Sequence, residues 1–173
     1  MPADLLPSPH DLGLPSHFAC WRQYQDQAVL DAVCSTKRFC MSVIPTGGGK
    51  TAFYIAAAVI TGLRTIILTH TKALQQQVIE DFESMGLVNI AGMNAYRCLA
   101  LEPGGELYAM FKHTHAPSHI VGCDDGPCRS GVQCSLREGG CLYYDQVRTA
   151  KAATLVVSNY AYWMNQGRFG RGI

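Results

Sequence analysis

Residues 43–53 read "VIPTGGGKTAF", and few stretches restrict a chain's choices so much. The run before them, "FCMSVI" (39–44), is apolar and partly β-branched and ends at Pro45. It predicts a buried strand entering a turn. Beyond the three glycines, an alanine-rich segment from Lys50 to about Thr61 predicts a helix packed on both sides. A strand, a glycine turn and a helix start together form an anion cradle. Backbone N–H groups line the loop, and the helix N-terminus adds partial positive charge. In such a loop Lys50 reaches the β/γ-phosphates of a nucleotide and the Thr51 hydroxyl ligates Mg²⁺. Pro45, Thr46, Gly47, Gly48 and Gly49 supply the wall, the glycines allowing close backbone approach. The general G-x-x-x-x-G-K-[ST] pattern wants glycine at position 44, where this chain has Ile44.

The flanking periodicities build a sheet around this loop. Residues 21–34 place Tyr24, Ala28, Val29 and Ala32 near helical spacing. "TIILT" (65–69) predicts a second buried strand, "KALQQQVIEDFESM" (72–85) a helix ending before Gly86, and "VNIAG" (88–92) a short strand. Residues 93–140 lose all sustained period and fill with glycine, proline, histidine and cysteine. Regularity returns with a helix over "YYDQVRTAKAA" (143–153) and a strand over "TLVVS" (154–158). This alternation predicts an α/β fold: a parallel sheet with helices on both faces, carrying a cysteine-rich insert. Residues 1–17, with their prolines, predict a flexible arm. The sheet domain then occupies 18–92, the insert 93–145, and 146–173 returns to the sheet.

Composition excludes more than it selects. Apolar residues make up 48% and charged residues 16% of the chain, so it folds rather than remaining disordered. The formal net charge of +1 gives no electrostatic argument for nucleic acid. The N-terminus lacks the basic region of a secretory signal, and the longest apolar run is too short for a membrane helix. The expected setting is cytoplasmic or nucleoid-associated and reducing, without a membrane partner. There, closely spaced cysteines favour metal over disulfides. Cys123, Cys128, Cys134 and Cys141 fall within "CDDGPCRSGVQCSLREGGC", and Cys98 precedes them. Four thiolates suit either a [4Fe–4S] cluster or Zn²⁺. Cys20, Cys34 and Cys40 are expected as small core residues, and His113, His115 and His119 as loop surface.

"PTGGGKT" resembles motif I of superfamily 2 helicases of the DEAD/DEAH type, which implies a RecA-like P-loop NTPase fold using ATP and Mg²⁺. "FACWRQYQDQA" resembles the adenine-reading segment of that superfamily, which places Gln25 on the adenine edge with Phe18, Trp21 or Tyr24 as a stacking face. "TIILTHTKALQQQ" resembles motif Ia, which implies nucleic-acid backbone contacts from Thr69, Thr71 and Lys72. As structure alone, Thr69 or Thr71 would be a helix cap. "GMNAYRCL" and "CLYYDQVRTAKAATLVVSNYAYWM" resemble segments of the XPD/DinG iron–sulfur helicases. That resemblance makes Cys98 the first and Cys141 the last cluster ligand, with Cys128 and Cys134 between, Cys123 as alternate, and Asn159 as the asparagine of the strand end. It implies an ATP-dependent helicase acting on single-stranded or forked DNA.

After "NYAYWM" the family pattern expects an acidic DEAH-type box, and no D-E-A-H or D-E-x-D occurs in these residues. The expectation is therefore the N-terminal portion of such a helicase, inactive in hydrolysis by itself. The alternatives are a non-catalytic nucleotide- or nucleic-acid-binding module, or an unrelated P-loop ATPase with a structural zinc site.

Overall fold

The computed structural model describes residues 6–111 and 121–168. In chain order the main elements are α1 (Gln25–Cys34), α2 (Lys50–Thr61), β1 (Thr65–Thr69), α3 (Lys72–Phe82), β2 (Val88–Asn89), α4 (Tyr108–Phe111), α5 (Leu142–Ala152), β3 (Leu155–Asn159) and α6 (Tyr160–Arg168). The three strands are parallel and ordered β1-β3-β2, so the strand formed last in sequence lies in the middle. Thr65 to Thr69 pair in register with Leu155 to Asn159, and Val88 pairs with Val156. A central parallel strand is covered on both faces, which is why "LVVS" carries no polar alternation.

Successive side chains of β3 serve two cores, as the period of a strand requires. Leu155 and Val157 join Val29 of α1, Ala52, Ile55 and Ala56 of α2, Ile67 of β1, and Val78 and Phe82 of α3. Val156 joins Ile90, Cys98, Leu101, Val121, Cys123, Tyr143 and Ala150 of α5, and Tyr162 of α6. Helices α1–α3 thus cover one face, while α5, α6 and the cysteine-bearing segment cover the other. The buried positions of α2, spaced one and three residues apart, form one stripe. The helix stops at Gly62, whose positive φ of 62° brings its N–H onto the Ala58 and Val59 carbonyls.

The structure departs from the expected elements in several places. Residues 39–44 form no strand: Phe39 is 81%, Met41 90% and Val43 90% exposed. Apolar character does not make a strand without a neighbouring backbone to pair with, and among the described residues none lies alongside. The first helix begins at Gln25, not residue 21, because Tyr24 turns the chain at φ 65° and leaves its ring exposed. The helix over 72–85 ends at Phe82 in a short 3₁₀ turn, and the strand over 88–92 keeps only Val88 and Asn89.

Residues 6–17, expected as an arm, lie against the first core. Leu14 is buried, Leu6 and Leu12 pack beside it, and the Trp21 indole N–H donates to the Pro7 carbonyl at 3.0 Å. Cys20, Cys34 and Cys40 are exposed instead of buried: Cys20 precedes α1, Cys34 is its last residue, and Cys40 lies in the unpaired 39–44 segment. The histidines at 113, 115 and 119 lie outside the described residues.

Candidate nucleotide and metal sites

The glycine loop is closed by its own neighbours. Lys50 is the first residue of α2, and its Nζ donates to the carbonyls of Ile44 (2.9 Å) and Pro45 (3.1 Å). Arg22 donates from Nη1 to the Gly47 carbonyl, and Gln25 from Nε2 to the Gly49 carbonyl at 2.8 Å. Gln25 Oε1 accepts from the Arg22 amide at 3.0 Å, so both ends of its amide are engaged. One donor and one acceptor lone pair of that amide remain for a base. Gly49 caps α2 at φ 75°, and an added Cβ would stand 2.5 Å from Gln25 Nε2. No side chain caps α2, so its first-turn N–H groups are left for an anion. Burial raises the pKa of Tyr54, and the nearby Thr51 hydroxyl opposes the rise.

Beside the loop is a cleft of about 550 Å³, lined among others by Tyr24, Gln25, Ile44, Pro45 and Gly48. Of the three aromatic residues expected near adenine, Tyr24 alone faces this cleft. Phe18 stacks on Phe82 at 5.1 Å, and Trp21 packs on the first core.

At the C-terminal end of the sheet, Thr69 is buried and its hydroxyl donates to the carbonyls of Thr71 (3.2 Å) and Ser158 (3.3 Å). Thr71 caps α3, its hydroxyl accepting the Leu74 N–H at 3.2 Å. Lys72 is exposed. Thr69 is thus turned inward, while Thr71 and Lys72 stay on the surface. Gln75, which the sequence did not single out, is buried beneath them. It donates to Asn89 Oδ1 and to the Ile90 carbonyl (3.0 Å), and accepts from Asn159 Nδ2 (3.2 Å). It ties the ends of β2 and β3 to α3. A glutamine inside a polar "QQQ" carries no sequence signal of burial.

On the opposite face five cysteines from residues 98–141 gather. Cys98, Cys123, Cys128, Cys134 and Cys141 all line one small, largely apolar cavity with Met93, Leu136 and Tyr144. Local structure explains how residues so far apart meet. An antiparallel bridge pairs Arg97 with Gly122, bringing Cys98 and Cys123 together from 25 residues apart. Cys98 and Cys134 stand just before 3₁₀ turns, Leu99–Leu101 and Ser135–Arg137, and Cys141 just before α5. First-turn N–H groups gather at such positions. Cys128 sits within the turn Pro127–Ser130. Glu106, another residue the sequence did not flag, accepts from the Ser135 amide (2.8 Å) and hydroxyl, clamping the segment before α4 to the Cys134 turn.

Burial pushes the Cys98 thiol up, while N–H bonds from Leu101 and Ala100 pull it back. Burial, then the neighbouring Cys141 and Cys98, pushes Cys123 up to about 12. Cys134 is pushed up to about 11 by burial and by its bond to Glu106. Thiols so disfavoured as anions need a positive centre to act as ligands, since a bound metal deprotonates a coordinating thiol outright. Among the described residues, no group of three or more His, Cys, Asp or Glu side chains is arranged to hold a metal ion. A tetrahedral zinc site needs sulfurs about 3.8 Å apart around one point, as follows from its bond length of about 2.3 Å. A four-iron cluster takes one thiolate per iron and asks for a ring of sulfurs around a cavity. The five thiols around one cavity supply the kind of donor that either group would take.

No curated protein and no solved structure matches the chain. The DEAD/DEAH box helicase family matches residues 22–123, which include α1, the glycine loop, α3 and the first two cysteines of the cavity. With a parallel sheet, a phosphate loop at the head of α2 and that match over more than half its length, the chain belongs to the DEAD/DEAH box helicase family.

Proposed function

We propose that this chain is the ATP-binding part of a DNA helicase that carries a [4Fe–4S] cluster. Family membership supplies the coarser half, a helicase-type domain that uses ATP with Mg²⁺ and acts on nucleic acid. The observation that carries the rest is the gathering of five thiols, spread over residues 98–141, around one cavity on the face opposite α2.

In this reading Lys50 leaves the Ile44 and Pro45 carbonyls for the β/γ-phosphates, and Thr51 takes the metal that accompanies them. The glycine-loop amides and the head of α2 hold the remaining phosphate oxygens. Gln25, fixed between Arg22 and Gly49, presents its spare donor and acceptor to adenine, and Tyr24 offers a stacking face. Thr71 and Lys72 at the head of α3 contact the backbone of single-stranded or forked DNA. Cys98, Cys128, Cys134 and Cys141 ligate the cluster, which when bound gives the insert a rigid centre. Without a D-E-A-H or D-E-x-D sequence to complete the metal site, these 173 residues bind ATP but do not turn it over.

Two measurements on the purified chain test the proposal. Lys50→Ala removes charge-assisted bonds worth roughly 1.5–3 kcal/mol, so calorimetry should show ATP affinity falling about ten- to hundredfold. Equal affinities would remove the nucleotide site. Anaerobic preparation should give a brown protein with about four irons and matching sulfide per chain. A colourless protein with a single zinc would replace the cluster by a structural zinc site.

A further inference from the structure

A four-iron cluster takes four thiolates, yet five line the cavity. We infer that Cys123 is a reserve ligand for Cys98, kept beside it in the same cavity and able to take its iron when Cys98 is lost. This rests on the cluster reading above.

The bridge between Arg97 and Gly122 sets the geometry. The Cys98 N–H donates to the Val121 carbonyl at 2.8 Å, and the Cys123 N–H to the Tyr96 carbonyl at 2.7 Å. Cys98 therefore stands opposite Val121 and Cys123 opposite Tyr96. In antiparallel pairing these positions share a face, and Cys98 and Cys123 are diagonal neighbours on it. Both are buried, Cys98 at 8% and Cys123 at 2% exposure, while the other three cysteines are half-buried.

The turn after Cys123 folds over the Cys98 sulfur. A Cβ on Gly126 would stand 3.3 Å from Cys98 Sγ and 3.1 Å from the Cys123 carbonyl oxygen.

Their surroundings differ, which ranks them. Cys98 heads the turn Leu99–Leu101, a position where first-turn N–H groups gather, though its side chain takes no cap bond there. Cys123 heads no helical turn among the described residues, and its Sγ donates to the Arg97 carbonyl at 3.3 Å. The resting ligand is Cys98, and Cys123 keeps that bond. When position 98 has no sulfur, Cys123 releases its proton to solvent, its χ1 turns it from the Arg97 carbonyl, and its thiolate bonds the vacant iron. No electron is transferred.

The experiment reconstitutes wild type, Cys98→Ser, Cys98→Ala, Cys123→Ser and the double serine variant anaerobically with ferrous iron and sulfide. Iron, sulfide, visible absorbance and the electron paramagnetic resonance of the reduced protein are then read, with the near-ultraviolet circular dichroism of the tyrosines packed behind the cavity as the check that each variant folds. Wild type and Cys123→Ser should share about four irons and one spectrum. Both Cys98 variants should keep that iron content with a shifted resonance, and the double variant should lose the four-iron species. Loss of the cluster from both Cys98 variants, with the tyrosine dichroism and wild-type loading intact, would overturn the reserve role and leave the cluster standing. Loss from Cys123→Ser with the Cys98 variants loaded would reverse the ranking and overturn it too. A wild type without iron would bring down the cluster reading itself, and this inference with it.

Discussion

The glycine loop and the cysteine cavity are served by opposite faces of one three-stranded sheet, and they hold their shapes by different means. The loop is a contiguous stretch whose backbone is pinned by three side chains, from Arg22, Gln25 and Lys50. Its surroundings are thin: the segment leading into it lies open, and Met41 and Val43 are nine-tenths exposed. The cavity draws on residues 93–144 and is backed by a full core of Ile90, Leu101, Val121, Tyr143, Val156 and Tyr162. A contiguous site can be encoded by a motif and tolerate loose packing. A dispersed site cannot form until the chain around it has folded.

Substitution at Gly105 should damage the cavity most. Its N–H bonds the Glu102 carbonyl at 2.7 Å, and the Leu107 N–H returns to the Ala100 carbonyl at 3.0 Å. An added Cβ would fall against the Leu99 and Ala100 carbonyl oxygens, which are backbone and cannot swing aside. Gly105→Ala should therefore cost at the upper end of about 1–3 kcal/mol. It should also open the thiols at 98 and 134 to alkylation while leaving ATP affinity unchanged. An ATP affinity that falls in step with thiol exposure would show that the two faces unfold as one, ending the contrast.

Gly49→Ala is the matching change on the other face. A non-glycine residue in the left-handed region costs roughly 1–2 kcal/mol. The new Cβ also displaces the Gln25 amide from the Gly49 carbonyl. ATP affinity should fall, and preference for ATP over GTP with it, while iron content and thiol reactivity hold. Unchanged nucleotide selectivity would show that Gln25 does not set the loop's base preference.

The two regions were legible to different degrees. The loop, α2, β1, α3, α5 and β3 all follow from local patterns, because each is a continuous run with its own period or turn chemistry. The proposed phosphate site rests on the same local run, since Lys50 and the glycines are adjacent in sequence. What stayed hidden depends on distant partners. Gln75 is buried only because Asn89, Ile90 and Asn159 arrive around it. Glu106 matters only because Ser135 lies opposite. The sequence counts five insert cysteines, but the bridge that sets Cys98 beside Cys123 is a long-range pairing with no local signature. Cys20, Cys34 and Cys40 were expected inside on residue type alone, and position in the chain overrode it.

The smallest expected effect tests the most conspicuous mismatch, at residues 39–44. Composition makes this segment a core strand, and Val43 is β-branched, but its side chain is 90% exposed with no strand beside it among the described residues. In that setting Val43→Lys exchanges one solvated side chain for another, and such surface changes stay within about 0.5 kcal/mol. Were the segment instead paired and buried, a lysine there would place an unpaired charge in the core, at a cost of several kcal/mol. Denaturant unfolding of the two proteins separates these outcomes cleanly. A midpoint shared by wild type and Val43→Lys would support a loop held by Arg22, Gln25 and Lys50 rather than by a strand beneath it. A large loss of stability would mean that 39–44 joins the sheet in solution, and the nucleotide face would then be as deeply supported as the cysteine face.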